Sequence, residues 1–251
     1  KKLFKFILFN KKLTSIVLIS NQLKIDFLKI FPKLDNKLIV AHDGSSLFDE
    51  KVSNNNISFI KKYSFNIIYV GSLHPGKGLE IIKPLSKNFN NFGFHIIGGN
   101  EKEIKNYQKE FNNQKNIFFY GYINHSNIKN YIYFSDICLL PNLPDVKIYS
   151  NNKYIDIGKY TSPLKMFDYM SVGKPIIASK LKNIQEVLNH KNNAYLCSYQ
   201  DLNEWIDAID TLYTDKQFRL LIGNNAKNDL LNKYQWPVRI KQIFKFSKII
   251  I

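Results

Sequence analysis

From position 66 onward the chain repeats one unit: a short apolar run, a polar turn, and a stretch of helical periodicity. The apolar runs fall at 66–71, 92–97, 116–120, 136–140, 175–179 and 194–197. Amphipathic stretches at 78–88, 101–112, 126–134, 162–173, 183–189, 201–213 and 216–234 separate or follow them. A strand that is apolar at every position has no side to turn to water, so these strands belong to a parallel sheet covered by helices on both faces. The expected fold class is α/β, a doubly wound, Rossmann-like parallel sheet, with ligands bound where strand ends lead into helix starts. Upstream, residues 14–20, 21–31 and 37–42 read as strand, helix and strand running into a turn at His42-Asp43-Gly44, the end of a different unit. The polar stretch 49–56 reads as a linker.

The loop after the first main strand is Gly71-Ser72-Leu73-His74-Pro75-Gly76-Lys77-Gly78. It satisfies G-x-x-x-x-G-K, but Gly78 stands where a Ser or Thr hydroxyl would hold Mg²⁺, and no later strand ends in a metal-holding Asp. Both facts argue against an ATPase or GTPase. What remains is a glycine-rich turn, a lysine and a helix start, which suit a phosphate; the alternative is a plain βα turn with an exposed lysine.

A second such place is 161–177. Ser162 can cap a helix, Pro163 fits its first position, Gly173 supplies a left-handed stop, and Pro175 opens the next strand. Lys165 is the anomaly, because a cation in a first turn opposes the helix dipole. A bound anion would reverse the sign, with backbone N–H groups and Lys165 converging on one phosphate; otherwise Lys165 is a solvated lysine. The polar connection 142–161 that precedes this helix lacks periodicity and is longer than compact domains carry idly.

Lys and Arg exceed Asp and Glu by 36 − 20 = 16. That balance suits phosphorylated substrates and is compatible with peripheral contact with an anionic membrane. The lysines are spread among many Asn, Ile, Phe and Tyr residues, and no arginine-rich block, zinc-finger spacing or RNA-binding aromatic signature occurs, so nucleic acid is not an expected partner. There is no D-x-D triplet, G-x-G-x-x-G fingerprint or serine nucleophile elbow, and the five histidines make no ligand pair at helical spacing. No metal or cofactor is therefore expected. Cys138 and Cys197 lie in apolar runs and read as buried thiols, with the cytoplasm as the expected compartment. Residues 1–9 lack a small-residue cleavage site, and no apolar run reaches the roughly 18 residues of a membrane span. The chain starts without Met, inside what reads as the tail of an element, and is expected to be a piece of a longer protein.

Four blocks stand out together: Tyr69-Val70-Gly71-Ser72-Leu73 through Lys77-Gly78, Gly121-Tyr122-Ile123-Asn124-His125, Ser135-Asp136-Ile137-Cys138-Leu139-Leu140-Pro141, and Ser162-Pro163-Leu164-Lys165-Met166-Phe167-Asp168-Tyr169-Met170 through Gly173-Lys174-Pro175. In this order and spacing, over residues 66–244, the chain resembles the retaining glycosyltransferases of family 4, which have the GT-B fold of two Rossmann-like domains facing across a cleft. The resemblance implies a carboxy-terminal domain, residues 50–235, that binds a nucleotide-sugar donor. Residues 1–49 would be a remnant of the acceptor-binding domain, and the helix of 236–251 would cross back to it.

The resemblance also implies roles. Lys77, with the amides of Gly71 and Ser72, would contact the donor diphosphate from one side, and the helix start at Ser162, Pro163, Leu164 and Lys165 from the other. Tyr122 and Ile123 would border the base, and Asp168 would accept hydrogen bonds from the ribose diol. Lys77 and Asp168 are the expected catalytic pair. Spacing agrees, since Asp168 lies about 9 Å along the helix from Ser162 at about 1.5 Å per residue.

Three departures matter. Asp168 replaces the family's usual Glu, Tyr160 stands at the position of its first acidic residue, and Ser72 replaces a common arginine. The expected function is metal-independent transfer of a hexose-type sugar from a nucleoside diphosphate sugar to a hydroxyl of a glycan or lipid-linked glycan, with retention, in the cytoplasm or at the inner face of the cell membrane. The alternative is a nucleotide-binding module without transfer activity.

Overall fold

The computed structural model describes residues 2–49, 62–111, 114–150, 153–156, 158–160 and 162–248. The expected linker beyond Asp49 and the residue Thr161 lie outside them. Helix α1 (Lys2–Leu8) precedes a small β–α–β unit, in which β1 (Ile16–Leu18) and β2 (Leu38–Val40) pair in parallel across α2 (Asn21–Ile30).

The main unit runs β3 (Asn66–Val70), α3 (Leu79–Asn88), β4 (Gly93–Ile97), α4 (Glu101–Glu110), β5 (Ile117–Gly121), α5 (His125–Tyr133), β6 (Ile137–Leu140). It continues β7 (Lys147–Ser150), β8 (Lys153–Asp156), α6 (Leu164–Val172), β9 (Ile176–Ser179), α7 (Lys182–Gln185), β10 (Tyr195–Cys197), α8 (Leu202–Thr214), α9 (Lys216–Asp229) and α10 (Trp236–Ser247). Six of these strands form one parallel sheet in the order β10-β9-β6-β3-β4-β5. Strand order reverses between β3 and β6, and a doubly wound sheet opens its ligand crevice at such a switch point.

The apolar runs behave as their composition demands. Ile67, Tyr69, Ile137 and Leu139 turn to one face, packed with Leu85, Trp205 and Leu212; Ile68, Val70, Cys138 and Leu140 turn to the other, packed with Phe167, Met170 and Ala226. Tyr169 of α6 reaches between the diverging strands, where its hydroxyl accepts from the Val70 amide at 2.9 Å and donates to the Leu139 carbonyl at 3.3 Å. That pair of bonds fixes α6 over the switch point.

Four expectations are corrected. The stretch 142–161 is not irregular throughout: β7 and β8 pair as an antiparallel hairpin, and Gly158–Tyr160 forms a 3₁₀ turn. Helix α6 begins one residue late, because the Pro163 carbonyl takes the first intrahelical bond, from Met166 at 2.9 Å, so Pro163 and not Ser162 is the cap residue. The helix expected at 183–189 is one turn, since Asn193 accepts the Asn189 amide and donates to the Val187 carbonyl, folding the chain back. The last turn of 216–234 is a π turn, Leu230–Tyr234, that redirects the chain into α10. Gly173 ends α6 as expected, at φ 78°, a left-handed conformation that glycine adopts without strain.

Candidate functional site

Position 165 decides the character of the α6 start. Among the described residues no side chain caps this helix, and although the Met166 amide is spent on the Pro163 carbonyl, the positive dipole end of the helix faces a ligand or solvent. The Lys165 Nζ is sealed from solvent and has no hydrogen-bond partner among the described residues. It lies 3.8 Å from the centroid of the Tyr69 ring and beside Gly71, where an added Cβ would stand 2.9 Å from it. Burial pushes its pKa well below the usual lysine value, and the nearby Lys77 charge adds to the shift; Lys77, itself half-buried, is lowered by burial too. Two lysines held this close cost free energy that an anion between them would offset.

The loop after β3 is held from several sides. The Tyr69 and Tyr107 hydroxyls donate to the carbonyls of Ser72 (2.7 Å) and Leu73 (2.9 Å). The loop after β6 lies directly on it, with the Leu143 amide donating to the Gly76 carbonyl at 2.8 Å. At Gly78, φ is 104° and a Cβ would meet the Pro141 carbonyl oxygen at 2.2 Å, so only glycine lets the two backbones touch.

Two roles drawn from the loop change. Glu80 accepts from the amides of Gly76 (3.0 Å) and Gly78 (3.2 Å), filling with its own carboxylate the cradle a P-loop would offer to phosphate. The Gly71 amide donates to the Ile97 carbonyl at 2.9 Å, so Gly71 offers a ligand close approach and not a hydrogen bond.

A cleft of ≈ 580 Å³ opens at the ends of β3, β4 and β5, lined by Gly71, Ser72, His74, Gly98, Tyr122 and Ile123 among others. Tyr122 is 84% exposed at its rim. A second cleft, ≈ 370 Å³, is lined by Ser45, Ser46, His125, Lys129, Leu164, Asp168 and Trp236 among others. Leu164 borders the second cleft while Lys165 abuts Gly71 of the first, so the opening turn of α6 stands between them.

Asp168 is a buried carboxylate. It is 7% exposed, with Oδ1 accepting from the Ser45 hydroxyl at 2.7 Å and Oδ2 facing His125 Nε2 at 3.2 Å. Lys129 Nζ lies 3.8 Å from Oδ1 and donates to Ser45 Oγ at 2.9 Å and to the Ser46 carbonyl. Burial lowers the Lys129 pKa, and Asp168 opposes that shift. Sequence reasoning missed Ser45 and Lys129; the one local signal was the His42-Asp43-Gly44 turn leading into Ser45.

The family model described as "Glycosyl transferases group 1" matches residues 51–229. The chain belongs to this family. It is 22% identical over 250 residues to an uncharacterized glycosyltransferase of Methanocaldococcus jannaschii, covering 93% of this chain and 60% of that one. It is 25% identical over 193 residues to the UDP-Gal:alpha-D-GlcNAc-diphosphoundecaprenol alpha-1,3-galactosyltransferase of Escherichia coli, covering 73% and 45%. The chain thus spans 45–60% of the length of the curated relatives it matches. Among solved structures it resembles sucrose-phosphate synthase of Thermosynechococcus elongatus (TM-score 0.75, 16% identity, 98% of this chain and 60% of that one). It also resembles the Anabaena protein HepE in complex with UDP and glucose (0.69, 18%, 94% and 63%). These likenesses fix the fold as that of the GT-B glycosyltransferases.

Other positions singled out in the sequence take structural places. The Tyr160 hydroxyl donates to Asp26 Oδ2 at 3.1 Å, and Lys159 pairs with the same carboxylate. His95 is buried between Asn66 and Tyr120, and burial holds its pKa down at about 3. Cys138 and Cys197 are buried free thiols. Among the described residues no group of three His, Cys, Asp or Glu side chains is placed to hold a metal ion, and no helix is long and apolar enough to cross a membrane.

Proposed function

We propose that this chain holds a nucleoside diphosphate sugar and transfers its hexose, with retention and without a metal ion, to a hydroxyl of a glycan or lipid-linked glycan, as a family 4 enzyme of glycan biosynthesis. The observation that carries the reading is Lys165, a buried amine with no hydrogen-bond partner among the described residues, close enough to Lys77 to feel its charge, at a helix start that no described side chain caps. A diphosphate placed there satisfies both cations and the helix N-terminus at once, and those groups stabilise the negative charge that grows on the departing nucleoside diphosphate.

The base then lies in the larger cleft against Tyr122 and Ile123, and the ribose reaches Asp168 beside the smaller one. HepE structures with UDP and with UDP-glucose support a uridine donor, and the E. coli relative's diphosphoundecaprenol acceptor supports a lipid-linked one. Such an acceptor places the enzyme at the inner membrane face, where its basic surface meets anionic lipid.

Calorimetric titration with UDP and GDP tests the reading. One of them binds with a Kd below a millimolar, and Lys77→Ala weakens it about tenfold, the effect of losing one charge-assisted hydrogen bond. Absence of binding by both at millimolar concentration sinks the proposal.

A further inference from the structure

Resting on the nucleotide-sugar reading above, we infer that Ser45, outside the residues the family model matches, is the positioning residue that turns Asp168 into a ribose acceptor. An aspartate on α6 carries one methylene less reach than a glutamate, so the direction of its carboxylate decides whether it can meet a sugar hydroxyl at all. The structure supplies that direction from two other elements. Ser45 donates to Oδ1 at 2.7 Å, and Ser45 is itself only 4% exposed. Its oxygen accepts in turn from Lys129 of α5 at 2.9 Å, and of the two acceptors within reach of its proton Asp168 lies nearer than the Ser46 carbonyl at 3.3 Å. The Ser45 amide donates to the Tyr234 carbonyl at 3.1 Å, and at Gly44 a Cβ would meet that same carbonyl oxygen at 2.0 Å, so the backbone presenting Ser45 is pinned against the π turn.

With Oδ1 spent on Ser45, Oδ2 is the oxygen that remains for a ligand. Its neighbour is His125, whose side chain is 72% exposed. Ser45 and His125 touch opposite oxygens of Asp168, and no Ser–His hydrogen bond completes a nucleophilic relay among the described residues. The cluster is a clamp on a carboxylate that lines a cleft with Trp236 and Leu164, a setting that suits a sugar ring and its hydroxyls.

The test compares UDP with 2′-deoxy-UDP on the full chain. The unmodified protein binds UDP about tenfold more tightly, the effect of one hydrogen bond to a charged group. Ser45→Ala lowers that preference below about threefold while 2′-deoxy-UDP affinity stays within about twofold of the unmodified chain, because the hydrogen bond it weakens is made to the ribose hydroxyl alone. Ser45→Thr, which keeps the hydroxyl, restores the preference. Lys129→Met, which removes the cation orienting the serine, lowers it independently. A folded Ser45→Ala and a folded Lys129→Met that both keep the full preference overturn the inference and leave the nucleotide reading intact. No UDP binding by the unmodified chain overturns both.

Discussion

An ammonium sealed in the protein at position 165, with no hydrogen-bond partner among the described residues, is a standing cost to the unliganded protein. Because burial lowers its folded-state pKa, the unfolded chain binds more protons than the folded one between that lowered value and the ordinary value of about 10.4. Stability of the unliganded protein therefore rises with pH through this window, and the full cost is present below it. Lys165→Met is expected to raise stability at neutral pH by about 1–3 kcal/mol, flatten that rise in thermal melts, and weaken UDP binding. An anion raises the lysine's pKa again, so binding takes up a proton and strengthens as pH falls through the same window; titration in two buffers of different ionisation enthalpy reads that uptake. The oddity of Lys165 was legible from its place in the first turn. The Ser45–Asp168 hydrogen bond was not, since it joins positions 123 apart in the chain and neither residue type signals the other.

At the scale of elements, the β3–α3 loop shows how a familiar pattern is diverted. The G-x-x-x-x-G-K spacing invites a phosphate, but the Glu80 carboxylate already bridges the Gly76 and Gly78 amides. Glu80→Ala leaves those two amides, in glycines that are both buried, without their acceptor, and should cost about 1–3 kcal/mol, a fall in Tm of several degrees. Glu80→Gln keeps an acceptor for one of the two amides and should cost less than Glu80→Ala. Neither should change the UDP Kd by more than about twofold, since a charge-assisted ligand hydrogen bond would be worth about tenfold or more; a Glu80→Ala protein that bound UDP far more tightly would show that the cradle competes for the phosphate. The strands were readable because apolar residues at every position admit no other environment. The β7–β8 hairpin was not, because its polar run lacks the alternation that marks a half-buried strand.

For the whole molecule, the question is what binds the small β1–α2–β2 unit to the large sheet, since a two-stranded pair is marginal alone. Glu186, which follows α7, accepts from the Asn21 amide at 2.6 Å and the Gln22 amide at 3.0 Å, holding the exposed start of α2. From the far end of the chain, α10 closes over the same unit: Arg239 donates to the Ala41 carbonyl at 3.2 Å, Gln242 to the Val40 carbonyl at 3.2 Å, and Ser247 meets Ser15 at 2.7 Å. These contacts are a handful of hydrogen bonds, whereas the sheet is held by two continuous apolar layers. The two units should therefore open with different free energies. Hydrogen exchange in Glu186→Ala combined with Arg239→Ala is expected to lose protection by about tenfold or more across β1, α2 and β2, with β3, β4 and β6 within about twofold of the unmodified chain. Because Ser45 lies directly after this unit, the same double variant should also lose part of its preference for UDP over 2′-deoxy-UDP. Equal loss of protection in both units would mean that the chain opens as one body and that the small unit is no separate lever on the nucleotide site.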